Sequence, residues 1–288
     1  MVNNNPTVLI PFNFDIESKA ALSFALGHAK DYQFNLILLH VIERSERLAE
    51  LAVKDSVIRM VEDELAAMVH QLDKTDTVEV KIVVKTGKPY KEILKVAREY
   101  EADFVIMGTR EREEKAISKP RLGSVAGKII RLSPIPVITF REGNLSFVKN
   151  ILLPLDFSKR IEQKVYNAIR LAKAFDATVH VVSIVWKKKE KISRRLLQLM
   201  DDTIRKIESA GVRTKSEFIS TEGGGKKMFL IEVIKYANQN DIDLIMIMTQ
   251  SEKPLVKYFV SASAYSIIRK SCTPVLTITP KYVEGDLE

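Results

Sequence analysis

Short apolar runs alternate with stretches of helical periodicity along the whole chain. The first run, Thr7 to Phe12, ends at Asn13-Phe14-Asp15, and another, Asn150 to Leu155, ends at Asp156-Phe157-Ser158. Each carries a proline one residue before its last apolar position, Pro11 and Pro154. A continuous apolar run of this length marks a parallel strand buried on both faces, and proline suits its end better than its middle. Behind the first run, Ala20, Ala21, Phe24, Ala25 and His28 share one helical face; behind the second, Val165, Ala168, Ile169, Ala172 and Phe175 do. Asp15 and Ser158 stand where helix N-caps belong. Strands over 36–41 and 179–185 follow, then helices over about 48–72 and 191–210, then strands over about 78–84 and 213–219.

The two halves also close alike. Helices over about 89–100 and 227–239 lead to the buried strands Asp103-Phe104-Val105-Ile106-Met107 and Asp243-Leu244-Ile245-Met246-Ile247. A last helix and strand follow in each: Ile129-Ile130-Arg131 before Pro136-Val137-Ile138-Thr139, and Ile267-Ile268-Arg269 before Pro274-Val275-Leu276-Thr277. The same elements in the same order, about 140 residues apart, argue duplication. We therefore expect two α/β domains, 1–143 and 147–288, joined by the polar segment Arg141-Glu142-Gly143-Asn144-Leu145-Ser146. Alternating strands and helices with short connections imply right-handed crossovers and a parallel sheet with helices on both faces. Ligands of such sheets bind beyond the carboxyl ends of the strands, where strand order reverses.

Composition narrows the class. Hydrophobic residues make up 46% of the 288, enough for a core in each half. No apolar run approaches the roughly 20 residues of a membrane span. The start, Met1-Val2-Asn3-Asn4-Asn5-Pro6, lacks the basic and apolar regions of a signal peptide. The single cysteine, Cys272, excludes an intrachain disulfide and a cysteine-based metal cluster. These features predict a cytoplasmic protein. The net charge of +8 is uneven: residues 1–146 carry 21 basic and 21 acidic side chains, residues 147–288 carry 24 and 16. The densest basic stretch is Lys187-Lys188-Lys189-Glu190-Lys191 with Arg194 and Arg195. We read it as a solvated loop entering a helix rather than as a nucleic-acid or membrane surface.

At the strand ends the chain resembles the universal stress proteins, over nearly its whole length. The resemblance rests on Ile10-Pro11, Leu153-Pro154-Leu155-Asp156-Phe157-Ser158, Leu39-His40-Val41, Thr86-Gly87-Lys88-Pro89 and Asp103 to Arg110. It rests most on Leu122-Gly123-Ser124-Val125-Ala126 with Pro134-Ile135-Pro136-Val137. It implies two tandem Rossmann-like domains, each a five-stranded parallel sheet in the order 3-2-1-4-5. It also implies pairing through the last strand, within the molecule or as a homodimer. Many members bind ATP through a G-x-x-G, nine residues, G-[S/T] pattern. Glycine admits phosphate oxygens to the backbone, and the G-[S/T] pair opens a helix whose free N–H groups attract anions.

The first half keeps part of that pattern. Gly108 occupies the first glycine position and Gly123-Ser124 the final pair; Glu111 replaces the second glycine, and the intervening segment is two residues longer. The family's aspartate after the first strand is Asn13, which donates and accepts but carries no charge. The resemblance implies an adenine nucleotide, ATP with magnesium or AMP, held by Pro11, Asn13, Val41, Gly108, Thr109, Arg110, Gly123, Ser124 and Val125. Gly123 and Ser124 would take phosphate, with Asn13 and Val41 near base and ribose. In the second half Asp156 is present, but Met248 and Ser251 replace the glycines and Ser261-Ala262 the final pair, so no ATP is expected there.

Other motifs carry less. Gly123 to Lys128 is one residue short of a P-loop and has Ile129 where Ser or Thr would bind magnesium. Glu222-Gly223-Gly224-Gly225-Lys226-Lys227 fits no phosphate fingerprint and reads as a flexible connection. His40 reads as a structural histidine, and His28, His70 and His180 form no metal spacing. The apolar stripe Leu48 to Met68 and Trp186 read as packing. No catalytic triad or carboxylate pair stands out. The expected role is binding and signalling, with a nucleotide-free scaffold as the alternative, and a slow ATP hydrolase or a nucleic-acid binder behind them.

Overall fold

The computed structural model describes residues 5–43, 55–73, 78–109, 111–112, 121–122, 124–140, 147–155, 161–186, 190–222, 226–249 and 262–280. Its contacts divide the chain into two units, Met1–Asn144 and Leu145–Glu288.

In the first unit the elements run β1 (Thr7–Phe12), α1 (Ile16–Ala29), β2 (Asn35–Glu43), α2 (Asp55–Leu72), β3 (Val80–Gly87), α3 (Pro89–Glu99) and β4 (Phe104–Gly108). There follow two short strands, β5 (Glu111–Arg112) and β6 (Arg121–Leu122), then α4 (Ser124–Leu132) and β7 (Val137–Phe140). The main strands are parallel in the order β3-β2-β1-β4-β7, which is 3-2-1-4-5. β5 and β6 form a separate antiparallel pair between the Gly108 and Gly123 positions of the glycine pattern. β2 continues past His40 to Glu43, two residues beyond the predicted end. Val8, Leu9 and Ile10 are each 0% exposed. Three successive buried residues require helices on both faces, because alternate side chains point opposite ways. α1 packs on β1 and β4 and α2 on β3, while α3 lies on β2 and β3 and meets α4.

The second unit repeats the plan with β8 (Asn150–Leu155), α5 (Ile161–Phe175), β9 (Thr178–Trp186), α6 (Glu190–Ser209) and β10 (Thr214–Thr221). α7 (Lys226–Gln239), β11 (Leu244–Met248), α8 (Ala262–Lys270) and β12 (Val275–Ile278) complete it, in the order β10-β9-β8-β11-β12.

The copies share small devices as well as topology. Asp103 Oδ2 accepts the Thr7 N–H at 2.8 Å, fixing β4 beside β1. Asp243 Oδ2 does the same for Asn150 N–H at 2.9 Å and Lys149 N–H at 2.8 Å. Ser133 donates its hydroxyl to the Ile135 carbonyl at 2.7 Å, and Ser271 to that of Thr273 at 2.8 Å. Left-handed non-glycine residues recur in register: Gln33 (φ 53°) with Asp176 (47°), and Glu101 (48°) with Asp241 (48°). Each follows a helix and turns the chain toward the next strand. Shared residues of this kind, costly outside their turns, are what duplication leaves behind.

Candidate functional site

The carboxyl edge of the first sheet is where sequence reasoning directed attention. β1 and β2 run in register from Thr7 with Asn35 to Phe12 with His40, so Pro11, Asn13, His40 and Val41 emerge side by side. The β1–β4 register, Val8 with Phe104 and Leu9 with Val105, brings Gly108 and Thr109 out at the same edge. Pro11, Val41, Gly108 and Val125 are half-buried, Thr109 is buried, and Asn13 and Ser124 are exposed. The β5–β6 pair joins Glu111 to Leu122, tying the stretch after Gly108 to the stretch before Ser124. Arg110 and Gly123 lie outside the described residues.

The corner between β1 and α1 is fully wired. Asp15 caps α1, its Oδ1 accepting the Ser18 N–H at 2.7 Å. Its Oδ2 accepts from Asn13 Nδ2 at 2.8 Å. The carboxylate that the sequence lacks at position 13 is therefore supplied two residues later, bound to Asn13 itself. Phe14 adopts a left-handed backbone (φ 65°), uncommon for a bulky side chain. Its ring sits edge-on to Phe12 and to His40, both at 5.1 Å. His40 donates Nδ1–H to the Phe12 carbonyl at 2.8 Å, so one ring nitrogen is committed to holding β2 against the end of β1.

Gly108 is fixed by packing. A Cβ built on it would stand 2.3 Å from Glu17 Cβ and 2.7 and 2.8 Å from the Glu17 carbonyl carbon and oxygen. The first turn of α1 thus fills the space that glycine opens. Glu17 Oε2 is buried there, so a carboxylate stands beside the strand end. α4 differs: its first turn carries no acidic residue. Of the helix starts at this edge, α1 is capped by Asp15 and followed by Glu17, whereas α4 carries no acidic residue of its own in the first turn. Lys128, one turn into α4, lies over the Tyr90 ring at 4.5 Å.

The same edge of the second unit is built differently. Met248, at the position of Gly108, is 8% exposed, so a buried side chain stands where the first unit has none. Lys164, on the first turns of α5, is 2% exposed and donates Nζ to the Pro154 carbonyl at 3.0 Å. Ala21 holds the equivalent position on α1. Ser183, the counterpart of His40, is 0% exposed, and its hydroxyl has no hydrogen-bond partner. Asp156, Ser251 and Ser261 lie outside the described residues. Sequence reading missed Asp15 as the partner of Asn13, Glu17 against Gly108, and Lys164. Only the Asp15 cap had a local signal; the others depend on which helix face meets which strand end. Among the described residues, no group of His, Cys, Asp or Glu could hold a metal ion, and no helix is long and apolar enough to cross a membrane.

Comparison with known proteins adds to this geometry. A sequence model described as the Universal stress protein family matches residues 4–141 and 148–279. A stretch of 107 residues, 36% of the chain, is 33% identical to the Universal stress protein A family protein C25B2.10 of Schizosaccharomyces pombe and covers 35% of it. The match therefore spans about a third of that relative's length. A match over 136 residues, 47% of the chain, is 25% identical to the universal stress protein in the QAH/OAS sulfhydrylase 3' region of Thermus aquaticus, over 98% of its length. Among solved structures, a universal stress protein from Archaeoglobus fulgidus DSM 4304 shares the fold with a TM-score of 0.68 at 19% identity, over 96% of both chains. The functionally unknown protein PA1789 of Pseudomonas aeruginosa PAO1 does so at 0.62 and 17%, over 96% of this chain and 93% of its own.

Proposed function

The chain belongs to the universal stress protein family, and on that premise we propose that its first unit binds an adenine nucleotide at the carboxyl edge of its sheet while its second unit does not. The observation that carries this reading is the unequal charge of the helix starts. α4 begins at Ser124 with no acidic residue in its first turn and offers its free N–H groups to an anion. The α1 corner offers carboxylate and amide acceptors at Asp15 and Asn13 for the donors of a ribose or base. The residues present fit the ligand in part. Ser124, Val125, Asn13, Pro11 and Val41 suit a nucleotide, with Arg110 and Gly123 as further contacts from the sequence pattern. The open side of Gly108 is already taken by α1. Magnesium, when ATP is the ligand, would neutralise phosphate charge beside Glu17.

The nucleotide acts as a signal: its binding changes the surface a partner meets. In the second unit, a buried methionine at the Gly108 position and Lys164 bonded to the Pro154 carbonyl support a purely structural role for that copy. Calorimetric titration of the full chain with ATP, ADP and AMP tests the proposal. One site per chain, weakened by Gly123→Val and unaffected by Met248→Leu, is expected. No heat at millimolar ligand would leave the second reading, a nucleotide-free scaffold, which the Glu17 carboxylate against Gly108 favours.

A further inference from the structure

One buried polar group at the opposite, amino-terminal edge of the second sheet plays no part in nucleotide binding. His180, on β9, is 1% exposed. The Asn150 amide donates Nδ2–H to the Asp241 carbonyl at 3.1 Å, leaving its Oδ1 to accept from His180 Nε2–H at 3.1 Å. That assignment makes Nδ1 an acceptor, and the Tyr236 hydroxyl, 3.0 Å away on α7, donates to it. α7 is therefore fastened to β9 through a neutral imidazole in a single tautomer. The charged neighbours are Lys215, the cross-strand partner of His180 on β10, and Glu217 two residues along. Asp243, ahead of β11, is tied to the Lys149 and Asn150 N–H groups. In the first unit the two equivalent positions are apolar: Ile37 and Val96, 4% and 0% exposed.

The other described histidines of known bonding behave differently. His28 and His40 point Nδ1 at the carbonyls of Phe24 and Phe12. A carbonyl only accepts, so each ring donates through Nδ1–H and keeps that bond when Nε2 gains a proton. A proton added to His180 Nδ1 instead forces the Tyr236 hydroxyl, itself 5% exposed, to turn from donor to acceptor and give up the partner of its own proton. We propose that His180 makes the second unit proton-responsive: protonating its ring takes from the Tyr236 hydroxyl the acceptor of its proton, puts a buried charge across from Lys215, and so loosens α7 from β9.

Burial, and secondarily the charge of Lys215, hold His180 below the ordinary histidine value. Burial and then Glu217 raise Tyr236, keeping its hydroxyl protonated as donor. The unfolded chain takes up its proton near pH 6.5, the folded chain only at lower pH. Below about pH 6.5 the open form therefore binds more protons, and stability falls as pH falls. The opening equilibrium rises by up to about tenfold per pH unit until the folded ring also titrates.

The test is hydrogen exchange of the full chain at pH 7.5 and 5.5, corrected for intrinsic exchange rates. Peptides of β9 and α7 should lose up to about tenfold in protection at the lower pH relative to those of β2 and α3. The double variant His180→Ile with Tyr236→Val, which copies the first unit, should abolish the difference. If that variant does not fold, carbon-13 NMR of the wild-type imidazole decides: His180 should titrate below the ordinary histidine value. Equal loss of protection in both units, a pH response that survives the double replacement, or ordinary titration of His180 would each overturn the proposal.

Discussion

Replacing Gly108 with alanine inserts a methyl group against the backbone of α1, and the cost can be worked from the contact. The new carbon would lie 2.3 Å from Glu17 Cβ and 2.7 Å from the Glu17 carbonyl carbon. Carbon atoms pack at roughly 3.5–4.0 Å, so the first turn of α1 must retreat by about an ångström. It cannot swing aside alone, because Ala21, Leu22 and Ala25 of the same helix are each 0% exposed in the core. Overpacking of this kind costs about 1–3 kcal/mol. For a unit of this size, 1 kcal/mol shifts the melting midpoint by about 3 °C, so a fall of about 3–9 °C is expected. Glu17→Gly in the same chain should restore only part of the loss, because the carbonyl group still obstructs. Gly27→Ala is the matched control: nothing lies within 4 Å of its Cβ position, and alanine in a helix interior gains about 0.5–1 kcal/mol. Scanning calorimetry of the full chain, with hydrogen exchange to assign the loss to β4 and α1, measures both. An unchanged midpoint for Gly108→Ala would refute the packing argument and leave the glycine explained by ligand approach alone.

Two further outcomes follow from the same edge. Asp15→Ala should cost about 1 kcal/mol through loss of the α1 cap, and should weaken nucleotide binding further by freeing Asn13, read by urea melts and titration. Glu17→Gln should strengthen ATP binding by up to about tenfold while leaving adenosine nearly unchanged, since only the phosphates feel the removed charge.

The strands, their order in the chain and the duplication were legible because buried parallel strands write themselves as unbroken apolar runs, and Val8-Leu9-Ile10 and Ile151-Leu152-Leu153 are such runs. The Asp15 cap was legible from its place before a periodic stretch. The two-residue strands β5 and β6 were not, since Glu111-Arg112 and Arg121-Leu122 carry no strand pattern and are defined only by pairing with each other. Gly108 was read through its sequence pattern as a place for phosphate, whereas its neighbour in space is Glu17, 91 positions earlier. His180 was read as scattered among the histidines, and Lys164 was not singled out at all. Each is buried because a partner from elsewhere in the chain, the Pro154 carbonyl or Tyr236 with Asn150, satisfies it. Charge and hydrogen-bonding capacity are visible in a sequence, but compensation across a fold is not.

Diffraction from crystals of the full chain grown with millimolar AMP or ATP would test the central claim most directly. The account predicts nucleotide density in the first unit, with phosphate at the Ser124 end of α4 and the nucleoside toward Asn13 and Asp15, and none beside Met248 and Lys164. An empty first unit, or density in the second, would contradict it.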